Sequence, residues 1–206
     1  MAFDPYAPYG PLVESTVRVV TWNVWGRYGG WQERQELLEA ALADVTPDIV
    51  CLDEAWSTRD DDTQASRVAG RLGLGHSISV RGFNLGDWSS GIGIASRWPI
   101  IRSEQRPLHG DATDPTDVAG AALFTAIDGP RGIIQLFAVM LDYPLDASAR
   151  RQEQVRQLCS FVAEVSRRRH ITVVCGDFNA GPDSDEIRML TGRSATPVPG
   201  LVFYDA

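Results

Sequence analysis

Four short stretches of this sequence carry side chains able to do chemistry: Thr21-Trp22-Asn23-Val24, Cys51-Leu52-Asp53-Glu54-Ala55, Ser148-Ala149-Arg150-Arg151-Gln152 and Gly176-Asp177-Phe178-Asn179-Ala180. In three of them a carboxylate or amide follows directly on an apolar run. There a polar group leaves the core while a rigid strand still holds it. Asn23, Glu54, Asp177 and Asn179 together would offer hard oxygen donors. Mg²⁺ takes such donors, keeps several waters and needs only one or two carboxylates. A bound ion would polarise a phosphoryl oxygen and offset the charge that builds in the transition state. Asp177 suits the orientation and deprotonation of an attacking water. Asn179 suits a hydrogen bond to the phosphate, or to the aspartate itself. Each residue alone has a plainer reading. Glu54 would be a solvated strand end, Asn23 a turn residue, Asp177 with Asn179 an Asx-type turn, and 150–152 a solvated helix face.

The elements that must position these groups follow from periodicity. Residues 17–24 are rich in β-branched side chains and predict a strand, broken by the glycines of 26–30. Leu38, Ala41, Leu42 and Val45 recur at helical spacing, which predicts a helix over 32–43. Thr46-Pro47-Asp48 ends it, and 49–53 reads as a short buried strand. A polar loop and helix cover 60–72. Strands are expected at 76–80, 92–96 and 100–106, and a loop at 111–117. Two strands, 118–127 and 132–141, flank Asp128-Gly129-Pro130-Arg131, a hairpin turn. The longest helix is expected over 146–168, with Val155, Leu158, Val162 and Val165 as its apolar stripe. A strand over 171–176 and a short helix over 183–190 follow, the latter opened by Pro182 with Asp183 and Asp185 in its first turn. Residues 191–200 form a loop, and 201–204 look like the start of a strand. Strands in hairpins with a few long helices indicate an α+β layered fold.

The chain's 206 residues, 44% of them apolar, suit one domain with a substantial core. The expected organisation is a loose arm over 1–15 and one domain over 16–206. No stretch is long and apolar enough to span a bilayer, and no secretory signal is visible, so a cytoplasmic location is expected. The net charge is −8 and the chain contains no lysine. Sequence-independent binders of duplex DNA are usually basic, so the charge argues against bulk duplex DNA as a partner. Cys51, Cys159 and Cys175 lie in apolar segments without metal-ligand spacing and read as buried reduced thiols.

Taken in order, Thr21-Trp22-Asn23, Leu52-Asp53-Glu54 and Gly176-Asp177-Phe178-Asn179 resemble the signature of the endonuclease/exonuclease/phosphatase superfamily, whose fold is that of pancreatic deoxyribonuclease. Gly91-Ile92-Gly93-Ile94-Ala95-Ser96-Arg97-Trp98-Pro99-Ile100 is similar to that family's central strand and turn. The resemblance runs from about Val17 to the last residue. It implies a four-layer αββα sandwich of two mainly antiparallel sheets, with the last strands missing from this C-terminally incomplete sequence. It also implies an Mg²⁺ or Mn²⁺ ion on Glu54 with help from Asn23, and Asp177, Asn179 and Asn23 as catalytic residues. Two histidines complete the family's site. Met140 stands at the position of one, and the other belongs to a segment beyond Ala206. His76, His109 and His170 match neither position. Asp142, Tyr143 and Arg150 are the residues left to assist.

The expected activity is therefore metal-dependent hydrolysis of a phosphate ester by in-line attack of water. Nucleic acid, nucleotide or phospholipid head group would be the substrate, without stable membrane insertion; partner proteins are not indicated. The alternative is a non-catalytic relative, or an inactive fragment, that binds a partner or phosphate ligand.

Overall fold

A computed structural model of the chain describes residues 16–111, 113 and 118–206. The expected arm over 1–15 and most of the expected loop over 111–117 lie outside the described residues. Among the described residues, eight strands form two sheets. In the first, β1 (Val19–Asn23), β2 (Ile49–Thr58), β3 (His76–Asn84) and β4 (Trp88–Ser96) lie in the order β1-β2-β4-β3. In the second, β5 (Ile100–His109), β6 (Val118–Gly129), β7 (Gly132–Met140) and β8 (Ile171–Asp177) lie side by side in sequence order. The parallel neighbours are β1 with β2 and β7 with β8. Each of these pairs is joined by a crossover helix, as parallel strands require: α1 (Trp31–Val45) and α3 (Ser148–Val165). The other helices are α2 (Gln64–Leu72) and α4 (Asp185–Leu190).

Three apolar layers define the stack. Leu38 and Leu42 of α1 and Val68 of α2 pack on Val50 and Leu52 of β2. Ile49 and Cys51 of the same strand face the other way, onto Leu123, Leu136 and Ala138 of the second sheet. On that sheet's far face, Val155, Leu158, Val162 and Val165 of α3 pack on Phe124, Phe137 and Val139. Strand side chains alternate between faces, so one strand serves two layers. The result is the α+β, four-layer αββα sandwich.

Helix ends follow local chemistry. The Thr63 side chain caps α2 by accepting from the Ser66 N–H at 3.1 Å, and Gly73 closes it in the left-handed conformation. α1 ends on Thr46, also left-handed. No helix among the described residues is long and apolar enough to cross a membrane.

Several expectations are corrected. β2 does not stop at Asp53 but continues to Thr58. α4 begins at Asp185, so Asp183 lies outside it. Residues 201–204 form no strand: the Phe203 N–H donates to the Leu190 carbonyl at 2.9 Å, and Leu201 and Phe203 pack against the α3 layer. Residues 150–152 are not a solvated face, because Arg151 is buried. Its Nε donates to Glu186 Oε1 of α4 at 2.9 Å, in a pair almost wholly withdrawn from water. The three cysteines are free, but only Cys51 and Cys159 are buried; Cys175 is partly exposed.

Candidate functional site

The site begins with an irregularity in β2. Leu52 pairs with Gly93 of β4 and Ala55 with Gly91, so β2 carries one residue more than its partner. The extra residue forms a β-bulge, with Glu54 in the left-handed region at φ 55°. Ala55 therefore lands on the helix-facing side with Leu52, where Glu54 would have been in a regular strand. Glu54 is freed to face a cleft at the end of the sandwich.

Across the gap, β8 ends in the Gly-Asp-Phe-Asn turn, and each residue has a task. Gly176 has φ 134°, and a Cβ there would strike the Val139 backbone. Only glycine permits that conformation and that approach. Phe178 packs into the α3 layer. Asn179 adopts φ 47°. Its backbone N–H donates to Asp177 Oδ1 at 3.0 Å, and its side-chain Nδ2 donates to the Leu141 carbonyl at 2.9 Å. The Asx turn offered as the plain reading of Asp177 and Asn179 is thus present, and it aims the aspartate.

Asn23, at the end of β1, joins the two halves. Its Nδ2 donates to Glu54 Oε1 at 3.0 Å and to Asp177 Oδ2 at 2.8 Å, while its Oδ1 accepts from the Trp25 N–H at 3.0 Å. One amide thus bridges carboxylates from opposite sheets. Neither carboxylate forms an ion pair with an arginine among the described residues.

Sequence reasoning passed over Asp53. It is 1% exposed, and neither oxygen closes a well-formed hydrogen bond among the described residues. Burial pushes its carboxyl up to about 8; the Asp177 charge adds to this, the Thr21 side chain acts in the opposite direction, and Glu54 adds further. Asp53 therefore holds its proton at neutral pH, whereas an unfolded aspartate releases it near 3.8. Across that window the native state binds more protons than the unfolded one, so this group's contribution to stability falls as pH rises from about 4 to 8. Asp53→Asn should flatten that part of the pH dependence and raise Tm above pH 7. Thermal melts of both proteins between pH 5 and 8.5 check this, and parallel curves would rule out the buried acid as the source.

The cleft has a volume of about 620 Å³, and Tyr28, Glu54, Phe83, Met140, Asp142, Tyr143, Arg150 and Asn179 help to line it. Arg150 Nε donates to Asp142 Oδ2 at 2.8 Å, and Asp142 Oδ1 accepts from the Tyr143 N–H at 3.0 Å. Asp142 is buried and thereby anchors a half-exposed guanidinium at the cleft wall. None of His76, His109 and His170 lines the cleft. His109 is tied instead to α3, its backbone N–H donating to Gln157 Oε1 at 3.0 Å.

The rim is aromatic. The β1–α1 loop is gathered by Arg34, whose guanidinium donates to the carbonyls of Val24, Trp25, Gly26 and Tyr28. This sets Tyr28 between Trp25 and Trp88, with ring centroids 5.7 Å and 5.3 Å away. Phe83 and Tyr143 are 52% and 79% exposed, large apolar surfaces left facing water beside buried carboxylates.

Comparison with known proteins places this geometry. The model of the endonuclease/exonuclease/phosphatase family matches residues 20–202. A search of curated proteins found no match. Among solved structures, the human Nocturnin catalytic domain with bound sulfate is similar at 22% identity and TM-score 0.72, over 86% of this chain and 69% of that one. An endonuclease/exonuclease/phosphatase from Beutenbergia cavernae DSM 12333 is similar at 22% identity and TM-score 0.65, over 81% of this chain and 48% of that one. TDP2 of D. rerio, complexed with single-strand DNA product, is similar at 20% identity and TM-score 0.62, over 82% of this chain and 62% of that one. The chain thus spans about half to two thirds of the length of these structures. With the family model matched over most of its length and the same fold in these neighbours, the chain belongs to the endonuclease/exonuclease/phosphatase family.

Proposed function

We propose that this domain is a metal-dependent phosphoesterase, hydrolysing a phosphodiester or phosphomonoester by in-line attack of water. The observation that carries this reading is the Asn23 amide bridging Glu54 and Asp177 at the mouth of the cleft. Glu54 and Asp177 are bridged by Asn23 without an arginine partner among the described residues, and beside them the Asp53 carboxyl is raised chiefly by burial, with the Asp177 and Glu54 charges adding to it. Such a concentration of hard oxygen donors and negative charge fits a divalent cation. Among the described residues no three His, Cys, Asp or Glu side chains are grouped to hold an ion. The hard oxygen donors that are present suit Mg²⁺ or Mn²⁺, which would be held chiefly by Glu54 and completed by water, with Asn23 fixing the carboxylate. When bound, the ion supplies charge neutralisation at the phosphoryl oxygens.

The chain's own residues account for the remaining roles. Asp177, held by Asn179 and Asn23, orients the attacking water and takes its proton. Asn179, pinned to the end of β7, positions that aspartate and adds an amide to the cleft wall. Arg150, anchored by Asp142, offers a positive charge to the phosphate from the other side. Tyr28, Phe83 and Tyr143 provide flat faces beside the phosphate position, which support a nucleotide or a short single-stranded nucleic acid as substrate. The net charge of −8 disfavours bulk duplex DNA.

A second reading, a non-catalytic relative that binds phosphate ligands, is favoured by Met140. It lines the cleft where the family carries histidine, and a thioether cannot donate a proton. Calorimetric titration of Mn²⁺ and Mg²⁺ into wild type and Glu54→Gln, alongside hydrolysis of bis-(p-nitrophenyl) phosphate, separates the readings. We expect Glu54→Gln to weaken ion binding at least about tenfold and to abolish turnover. Equal affinities would remove Glu54 as the ion's ligand. Ion binding without turnover in the wild type would favour the second reading.

A further inference from the structure

Two thiols meet across the gap between the sheets. Cys51 Sγ on β2 and Cys175 Sγ on β8 lie 3.4 Å apart, although 124 positions separate them in the sequence. Both sit in the inter-sheet apolar layer. Cys51 is fully buried, whereas Cys175 is partly exposed. The third thiol, Cys159, is buried in the α3 layer on the far side of the second sheet. Asp53 follows Cys51 by two positions and Asp177 follows Cys175 by two. A strand repeats its facing every second residue, so the sulfurs lie one step along their strands from Asp53 and Asp177.

We propose that Cys51 and Cys175 form a site of reversible oxidative modification, in which a peroxide converts the pair into an intramolecular disulfide that fastens the two sheets together. Cys175, the less buried of the two residues, reacts first. Cys175 attacks a peroxide oxygen, the O–O bond breaks, and the sulfur is oxidised to a sulfenic acid while one water leaves. The Cys51 sulfur then displaces the hydroxyl group, which departs with the Cys51 proton as a second water. In sum, two thiols and one hydrogen peroxide give one disulfide and two waters. The sulfurs must close from 3.4 Å to about 2.0 Å, a movement of the order that side-chain rotation supplies. Nothing charged has to be displaced from the apolar layer around them. A link between positions so distant in sequence also restricts the unfolded chain, so oxidation should raise Tm by roughly 5–10 °C.

The inference stands independently of the phosphoesterase reading, and its test reads mass rather than activity. Without lysine, trypsin cuts this chain only after arginine, and each cysteine falls in its own peptide: 35–59, 157–167 and 170–188. The full chain is treated with hydrogen peroxide, denatured with iodoacetamide to block remaining thiols, digested and analysed by mass spectrometry. The expected product is peptide 35–59 joined to 170–188, with Cys159 alkylated and the link reversed by dithiothreitol. Cys175→Ser should give no link, and its Tm should not respond to peroxide. Recovery of both peptides alkylated, Cys175 over-oxidised beside a free Cys51, a link involving 157–167, or links found only in covalent dimers would each overturn the proposal.

Discussion

Asp177→Asn should leave the fold intact and lower hydrolysis of bis-(p-nitrophenyl) phosphate by about 10²–10⁴-fold, the usual contribution of a positioned general base. The substitution is nearly isosteric. The new side-chain oxygen can still accept from the Asn179 N–H, and the turn remains tied to Leu141 through Asn179 Nδ2. What disappears is the negative charge, the capacity to take a proton from water, and the bond that Asn23 Nδ2 donates to Oδ2, where the new amide nitrogen cannot accept. The same loss is readable without turnover. Since the Asp177 charge helps to raise the Asp53 carboxyl, the variant should be more stable than wild type near pH 8, where wild-type Asp53 is being forced to ionise beside it. Full activity in a folded Asp177→Asn protein would remove this residue from the chemistry. Lost activity together with a lowered Tm would instead indicate a structural role.

The largest expected effect on stability lies away from the cleft. Arg151→Ala should cost about 3–5 kcal/mol, because it strands a buried carboxylate. Glu186 is wholly buried, and its Oε1 is held by Arg151 Nε at 2.9 Å. The same guanidinium donates through Nη1 to the carbonyls of Pro144 and Asp142, at 2.6 Å and 3.3 Å. Truncation therefore unpairs three acceptors at once in a region closed to water. It also loosens the segment carrying Asp142, and with it Arg150. Urea unfolding would show the loss. The double substitution Arg151→Met/Glu186→Leu should recover most of it, since two apolar side chains of similar volume need no partners. The pair Arg106–Glu164 is the contrast: its 2.7 Å contact lies at the surface, where such bridges contribute little. A cost below about 1 kcal/mol for Arg151→Ala would mean that apolar contacts alone dock α4.

The layering was readable in advance where one period dominates. The α3 stripe of Val155, Leu158, Val162 and Val165 is buried as its spacing predicts. The strands on either side of Asp128-Gly129-Pro130-Arg131 pair in the expected hairpin. The misreadings have a common cause. Charges inside an apolar run look like the end of an element, so the pattern places the end of β2 at Asp53-Glu54, whereas Ala55 and Trp56 return to the core. Arg151 looks solvated in the sequence because its partner, Glu186, lies on another helix. In the candidate site, Asn23, Glu54, Asp177 and Asn179 can be named because order along the chain singles them out; hydrogen bonds join Asn23 to Glu54 and Asp177 and Asn179 to Asp177, while of the four Glu54 and Asn179 line the cleft. Tyr28 and Phe83 could not, because nothing local shows which loops close over the end of the sandwich. Asp53 offered a signal that was passed over: an acid in register with Cys51, on the face that the strand buries.

The extra residue in β2 has a consequence for inheritance. Residues 49–52 pair with β4 in one register and 55–58 in another, offset by a single position. A codon lost between them would realign the two ladders into one unbroken strand pair and delete an acid of the cleft in the same event. Such a lineage would keep its sheet, and even relieve the left-handed backbone at Glu54, while the cleft lost its bridge to Asn23. Descendants aligned strand against strand would then seem well matched, with the missing carboxylate showing only as a one-residue gap.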